Sequence, residues 1–364
     1  MAQALMVLPS QTPDIEIKTF ELLETENNWR SLEIKSPHAE IYKKRDMVGI
    51  HAPQATVWNK AGNATLLKGD AGIIDSKSGN VQVNGNTQIE AQNGMIFNTD
   101  VIVFANQQKQ ITTDAPVVGK SRATGNQKPS LEINGTGLNV DIKTQSYSVL
   151  SDVRARQTHN QDFFSITSHT ASFFPVTNKA QFAGEAQVQS KKMLLKGEIA
   201  LLLMDPKSGE TKVQGIEMSS NSPDSTVLAN IENFVINSRG FQVKFGPNGN
   251  LQESKAIGSV NAVSPSGIKM NAQTLRLLPS SDGFIVNLEQ GVRIAIDDRI
   301  ATCEEAIYYP TSGNIVLRKF ASVVREDQQL NGDLIRLSTK NSEVIVEKAS
   351  GTLNRDAMQK KKPL

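Results

Sequence analysis

Four histidines, one cysteine and a scatter of carboxylates are the side chains of this sequence that could do chemistry. His38, His51, His159 and His169 would serve as metal ligands or general bases if their spacing gathered them. None stands in H-E-x-x-H or H-x-H, so spacing predicts no metal site. Cys303 occupies a place in a repeat that other copies fill with Gly, Ala, Ser or Thr, which reads as a small strand residue rather than a reactive thiol. Glu304 and Glu305 are adjacent, so on a strand they point to opposite faces and cannot work as a paired acid and base. Gly135 and Gly137 form a bare G-x-G with no helical pattern after it, which suits a bulge or tight corner better than a nucleotide loop. Neither G-x-S-x-G nor a P-loop is present. These residues predict no enzyme, no catalytic group, no metal and no cofactor.

The elements that hold these side chains repeat. The pattern small-x-x-apolar-x-large apolar begins at Ser36, Ala52, Gly69, Thr99, Gly137, Ser168, Gly197, Ala229, Ala272, Cys303 and Gly332. Its sixth position is always bulky, and its fourth is apolar except at Glu232. Six of the ten intervals span 29 to 32 residues, the length of one two-stranded hairpin. The best example is Leu67 to Val83, LKGDAGIIDSKSGNVQV, in which two alternating runs flank a Ser- and Gly-rich turn. No sustained helical period appears. The first and fourth positions have opposite parity on a strand, so both reach one side only if the strand kinks between them. Kinks stacked in register would curl the sheet into an all-β, antiparallel, open-ended β-jellyroll built from repeated hairpins.

Charge supports a partner other than nucleic acid. The chain carries 39 basic and 37 acidic residues for a net +2, not a concentrated basic face. With 38% hydrophobic and 5% aromatic residues, thin extended β architecture fits better than a thick enzyme core. A lone cysteine allows no disulfide within the chain. No run approaches the ~20 apolar residues of a membrane helix. The short run Ala4–Leu8 reads either as an ordinary start or as the stub of a hydrophobic anchor.

One family matches these residues. The run W-x-x-L…S-x-x-A-x-I-Y (Trp29 to Tyr42), the hairpin LLKGDAGIIDSKSGNVQVNGNTQI, G-x-x-F-x-T-x-x-I-x-F (Gly94 to Phe104), I-T-T-D-A-P-V (Ile111 to Val117) and G-T-G-L (Gly135 to Leu138) resemble the LptC-type component of lipopolysaccharide export. In the second half GEIALLL, VLANIENF, MNAQTLRL and LNGDLIRL are similar to the related LptA/OstA repeat. The resemblance implies a periplasmic β-jellyroll associated with the inner membrane of a Gram-negative cell. It implies a non-enzymatic bridge that takes lipopolysaccharide from an inner-membrane ABC-type extractor and shields its acyl chains on the way to the outer membrane.

On this reading residues 1–13 are a linker or anchor stub, 14–156 an LptC-like jellyroll, 157–356 an LptA/OstA-like jellyroll in tandem with it, and 357–364 a basic tail. The repeat register nominates Ile74, Phe104, Ile142, Phe173, Leu202, Leu277 and Tyr308 as the lipid-binding groove. Open sheet edges invite strand addition. Ile15, Ile17 and Phe20 on the first strand are expected to meet the extractor. Val344 and Val346 on the last strand, 343–347, are expected to meet an LptA-like bridge or the outer-membrane acceptor. Lys68 and Lys196, each just before a repeat glycine, could bind phosphate, although ordinary exposed lysines are the favoured reading. The rival reading is a structural or adhesive cell-surface β-solenoid with a closed core and no lipid.

Overall fold

The computed structural model describes residues 5–122, 131–159, 162–205, 213–222, 225–326, 328–340, 343–348 and 350–353. Residues 123–130 and 206–212 and the whole tail expected at 357–364 lie outside these residues. Two compact units make up the chain: residues 1–186 with 203–212, and residues 187–202 with 213–364.

Unit 1 begins with a long hairpin, β1 (Ile15–Glu26) and β2 (Trp29–Tyr42). After a 3-10 turn at Lys43–Arg45 come β3 (Met47–His51) and β4 (Gln54–Trp58), which pair with opposite ends of β2. They are the two legs of one bent strand. The same holds for β5 (Ala64–Lys68) and β6 (Ala71–Asp75), both paired to β7 (Val81–Glu90). Longer strands follow: β8 (Met95–Ala105), β9 (Gln110–Ser121), β10 (Leu131–Asp141) and β11 (Ser146–His159). Another bent pair of legs, β12 (Asp162–Ser168) and β13 (Thr170–Phe174), lies on β11, and β14 (Lys179–Gln189) pairs with β13. Within unit 1, β11 and β12 pair from Val153 opposite Ser168 to His159 opposite Asp162. The division into units falls at Ala186/Gln187.

Unit 2 repeats the scheme after β15 (Met193–Met204). It holds β16 (Val213–Ser219), β17 (Val227–Ile231), β18 (Phe234–Ser238), β19 (Gly240–Phe245), β20 (Leu251–Val263) and β21 (Lys269–Ser280). Then come β22 (Gly283–Ile296), β23 (Arg299–Tyr309), β24 (Asn314–Arg325), β25 (Gln328–Ser338), β26 (Val344–Glu347) and β27 (Ser350–Leu353). β20 is itself bent, with a register shift between Ile257 and Val260. A correction concerns the end of the sheet: residues 343–347 are not the last strand. β26 and β27 are two legs that pair with opposite ends of β25, so the sheet closes on a bent strand like the others.

The kinks lie where the repeat predicts them. Register shifts occur between Asn98 and Val103 on β8, Asn271 and Thr274 on β21, and Thr302 and Glu305 on β23, each taking in the first motif position, and on β8 the fourth as well. Both positions are buried despite their opposite parity: Thr99 with Ile102, Ala272 with Leu275, Cys303 with Ala306. A bend leaves a carbonyl without a ladder partner, and a small polar residue at the kink supplies the donor. Ser36 Oγ donates to the His38 carbonyl at 2.6 Å, Ser168 Oγ to Thr170 at 2.8 Å, Ser238 Oγ to Gly240 at 2.9 Å and Cys303 Sγ to Glu305 at 3.1 Å. The first motif position is thus small because the bend is tight, and often polar because a carbonyl must be satisfied. At Gly85 the backbone takes φ +72°, and a Cβ there would sit 2.6 Å from Asp70 Oδ2.

Candidate functional site

Cross-strand register turns the repeat into continuous apolar rows. In unit 1 Ile41 faces Val48, which faces Ile74, then Val81, Phe104, Ile111, Val140, Tyr147, Phe173 and Ala180, each the partner of the next. The other legs build a second row from Ile34 through Ala55, Leu67, Ile89, Phe97, Gly119, Ile133 and Ala155 to Ile166. The Phe97 and Tyr147 rings meet edge-on with centroids 5.0 Å apart, so the two rows face one another. Gly119 makes this approach feasible, since a Cβ there would lie 2.6 Å from Ile133 and 2.7 Å from Phe97. Unit 2 has its own row: Ile216, Val243, Ser254, Leu277, Val286, Tyr308, Ile315, Leu337 and Val344. These rows run across the strands, along the direction in which hairpins stack. An elongated hydrocarbon chain needs an apolar track of that kind.

The seven nominated positions fall on this interior. Ile74, Phe104 and Phe173 belong to the first row of unit 1, and Leu277 and Tyr308 to the row of unit 2. Ile142 lies one residue past the end of β10, and Leu202 is buried on β15. All seven are buried, Phe104 and Leu277 with no exposed surface, so they form packed core in this conformation.

Ile142 reaches an opening. At one end of unit 1 a cavity of about 880 Å³ is lined by the turns after β1, β4, β8 and β10. Trp29 and Trp58 both line it, and the chain has no other tryptophan. Lys60, Lys109 and Lys143 stand on its wall with Glu24 and Glu26. Lys109 is held by Asn106 Oδ1 at 2.8 Å, lies 3.8 Å from Glu26 Oε2, and its Nζ sits 6.0 Å from the centre of the Phe104 ring. Asn106 Nδ2 in turn donates to Glu24 Oε2 at 2.7 Å. Aromatic surface beside a held ammonium group, next to Phe104 of the first apolar row, suits a molecule with acyl chains and an anionic head. Sequence reading passed over these residues because each lies at a strand end in a different hairpin. The available signal was the placement of both tryptophans against Asn-containing turns. Lys68 and Lys196 are exposed and do not line the cavity.

Elsewhere the chemistry-bearing residues sort cleanly. Cys303 is buried at its kink, and burial pushes its thiol up to about 11, the reverse of what a nucleophile needs. His38 and His51, 13 residues apart in sequence, are direct partners across β2 and β3, an adjacency that linear motifs cannot reveal. At the sheet edges, β1 pairs with β2 alone among the described residues, with Ile15 exposed and Ile17 and Phe20 half-buried. On β26 Val344 and Val346 are half-buried and Ile345 is exposed.

Comparison with known proteins decides the first part of the chain. Residues 6–159 match the LptC-related lipopolysaccharide-assembly family. This segment is thus similar to LptC-type proteins. It takes in β1 to β11, and with them both tryptophans and every residue of the cavity wall. No curated protein matches the sequence. Among solved structures the chain is similar to the crystal structure of LptH from Pseudomonas aeruginosa, described as the LptA homologous periplasmic component of the conserved lipopolysaccharide transport device. Identity there is 11%, over 52% of this chain and 94% of that chain, with a TM-score of 0.16. The antiparallel β-jellyroll expected of an LptC-type protein is what the strands form. Among the described residues no helix is long and apolar enough to cross a membrane.

Proposed function

We propose that this protein is a non-enzymatic bridge in lipopolysaccharide transport. It accepts lipopolysaccharide from an inner-membrane ABC-type extractor through β1, at Ile15, Ile17 and Phe20. It shields the acyl chains along its apolar rows and passes the lipid on at the β26 edge, at Val344 and Val346, to an LptA-like bridge or the outer-membrane acceptor. Residues 14–156 are the LptC-like jellyroll and 157–356 the LptA/OstA-like one, working in the periplasm at the inner membrane.

The observation that carries this reading is the position of Trp29, Trp58 and Lys109 around one cavity, with Lys109 beside Phe104 of the first apolar row, within the segment that matches the LptC-related family. Energetics make the need plain. At about 0.8 kcal/mol per methylene, a 12-carbon acyl chain left in water costs roughly 9 kcal/mol. A lipid with several such chains crosses an aqueous gap only on continuous apolar surface. One observation favours a second reading: the interior is filled by its own side chains, as in a structural or adhesive solenoid.

The two tryptophans provide the test. Because both stand at the cavity, intrinsic fluorescence of the purified chain reports its occupancy. Titration with lipopolysaccharide is expected to shift the emission to saturation, with the change reduced in Trp58→Phe. Emission that stays fixed while the protein remains folded would support the closed solenoid.

A further inference from the structure

The histidines that no linear motif connects are brought together by the fold. His38 on β2 and His51 on β3 are direct cross-strand partners, with ring centroids 5.1 Å apart. Glu40 lies two residues beyond His38 and so shares its face of β2. Glu40 Oε1 stands 3.8 Å from His38 Nε2 and 3.7 Å from His51 Nε2. One potential ligand atom from each of the three residues lies within 4.8 Å of the others.

Those separations are too long for hydrogen bonds and close to what a shared ion requires. Ligands about 2.0–2.1 Å from a tetrahedral Zn²⁺ are separated by roughly 3.4 Å, so small side-chain rotations close the set. The carboxylate is also oriented. Its second oxygen, Oε2, accepts a hydrogen bond from the Tyr42 hydroxyl at 2.8 Å, which leaves Oε1 aimed between the two imidazoles. Such an outer partner is how metal-binding carboxylates are held. The backbone beneath is fixed as well. Buried Ser36 Oγ lies 2.6 and 2.7 Å from the His38 and His51 carbonyl oxygens, which share its one hydroxyl proton, and accepts from the His51 N–H at 3.1 Å. Among the described residues no lysine or arginine forms an ion pair with Glu40; Lys18, opposite His38 on β1, does not reach it.

We propose that His38, Glu40 and His51 form a binding site for a divalent transition-metal ion of the zinc class. Two imidazoles and a carboxylate suit Zn²⁺, Ni²⁺ or Cu²⁺ rather than Mg²⁺ or Ca²⁺. The side chains are partly exposed, which leaves the remaining coordination positions to water or to a ligand from a partner. The ion would staple β2 to β3 at the kink next to the edge strand β1. This proposal is independent of lipid transport and stands or falls without it.

Calorimetric titration of the full chain with Zn²⁺ tests it, with Mg²⁺ as the comparison ion. The expected result is one equivalent of Zn²⁺ bound and no Mg²⁺. His51→Ala should weaken binding at least about tenfold, and Tyr42→Phe by about tenfold through loss of the outer contact. His169→Ala, at an exposed histidine in a different part of unit 1, should leave the affinity unchanged. The backbone bonds of His51 to Ser36 survive its substitution, so the variant is expected to fold. Should it not, Co²⁺ bound to the wild type decides: a tetrahedral visible band supports the site, and its absence overturns it. No Zn²⁺ uptake by the wild type, or equal affinity in wild type and folded His51→Ala, would also overturn it.

Discussion

Tyr147 stacks on Phe173 across β11 and β13, with ring centroids 4.8 Å apart and planes 18° apart. Phe97 closes edge-on against Tyr147, and Phe182 against Phe173 at 5.8 Å. The four rings weld the two apolar rows of unit 1 into one interior. Burial holds the Tyr147 phenol far above its usual ionisation range, so it stays neutral, with Asn93 Nδ2 3.4 Å from its oxygen. Phe173→Ala removes a ring from this cluster and should cost about 3–5 kcal/mol. Denaturant unfolding should register that loss, with Phe173→Leu costing less. A near-zero change would mean that the cluster is not tight core.

Cys303 is a kink residue whose thiol satisfies the Glu305 carbonyl, and burial is the main cause of its rise from 9.0 to about 11. In the folded protein alkylation at pH 8 should therefore be slow and should accelerate only as the pH passes through about 11. Between those values the unfolded chain ionises first, so this group's contribution to stability declines as pH rises from 9 to 11. Cys303→Ser keeps a donor at the bend and should be tolerated. Cys303→Val loses the donor and should be the less stable of the two by about 1 kcal/mol in thermal melts.

Reversing charge at the cavity should separate binding from stability. Lys109→Glu places a carboxylate beside Glu26 and Asn106 and should repel an anionic head group. Lipopolysaccharide affinity, read from tryptophan fluorescence, is expected to fall about tenfold or more, the 1.5–3 kcal/mol of a charge-assisted hydrogen bond. Lys68→Glu, away from the cavity, is the control and should bind like the wild type.

The β26 edge offers a backbone test. Ile345 is 48% exposed and pairs with Arg336 on β25. Ile345→Pro removes a ladder N–H of β26 and, by disturbing this edge strand, should weaken co-purification with an LptA-like acceptor. The rest of unit 2 should keep its melting temperature to within a few degrees. Co-purification equal to wild type would argue against strand addition at this edge.

Much of the architecture was legible because one physical constraint recurs in every hairpin. Opposite parity at Cys303 and Ala306, or at Thr99 and Ile102, demands a kink if both are buried, and the register shifts lie there. The sixth motif position, as at Phe104 and Tyr308, marked the apolar rows for the same reason. What stayed hidden depends on partners far apart in sequence. His38 and His51 meet only through register, and Trp29 and Trp58 line one cavity because the start of β2 pairs with β4, Leu32 opposite Val57. The extra leg β27 was missed because Ser350–Leu353 shows little apolar alternation; its place is set by pairing with β25.

The most direct test of lipid carriage is site-specific photo-crosslinking to lipopolysaccharide in cells. A photoreactive residue would stand at Trp58 on the cavity wall, at Phe173 in the interior row and, as a control, at Leu150, which is exposed on β11. The account predicts lipid adducts at Trp58 and Phe173 and none at Leu150. Folded protein with no adduct at either interior position would contradict it and leave the closed structural solenoid.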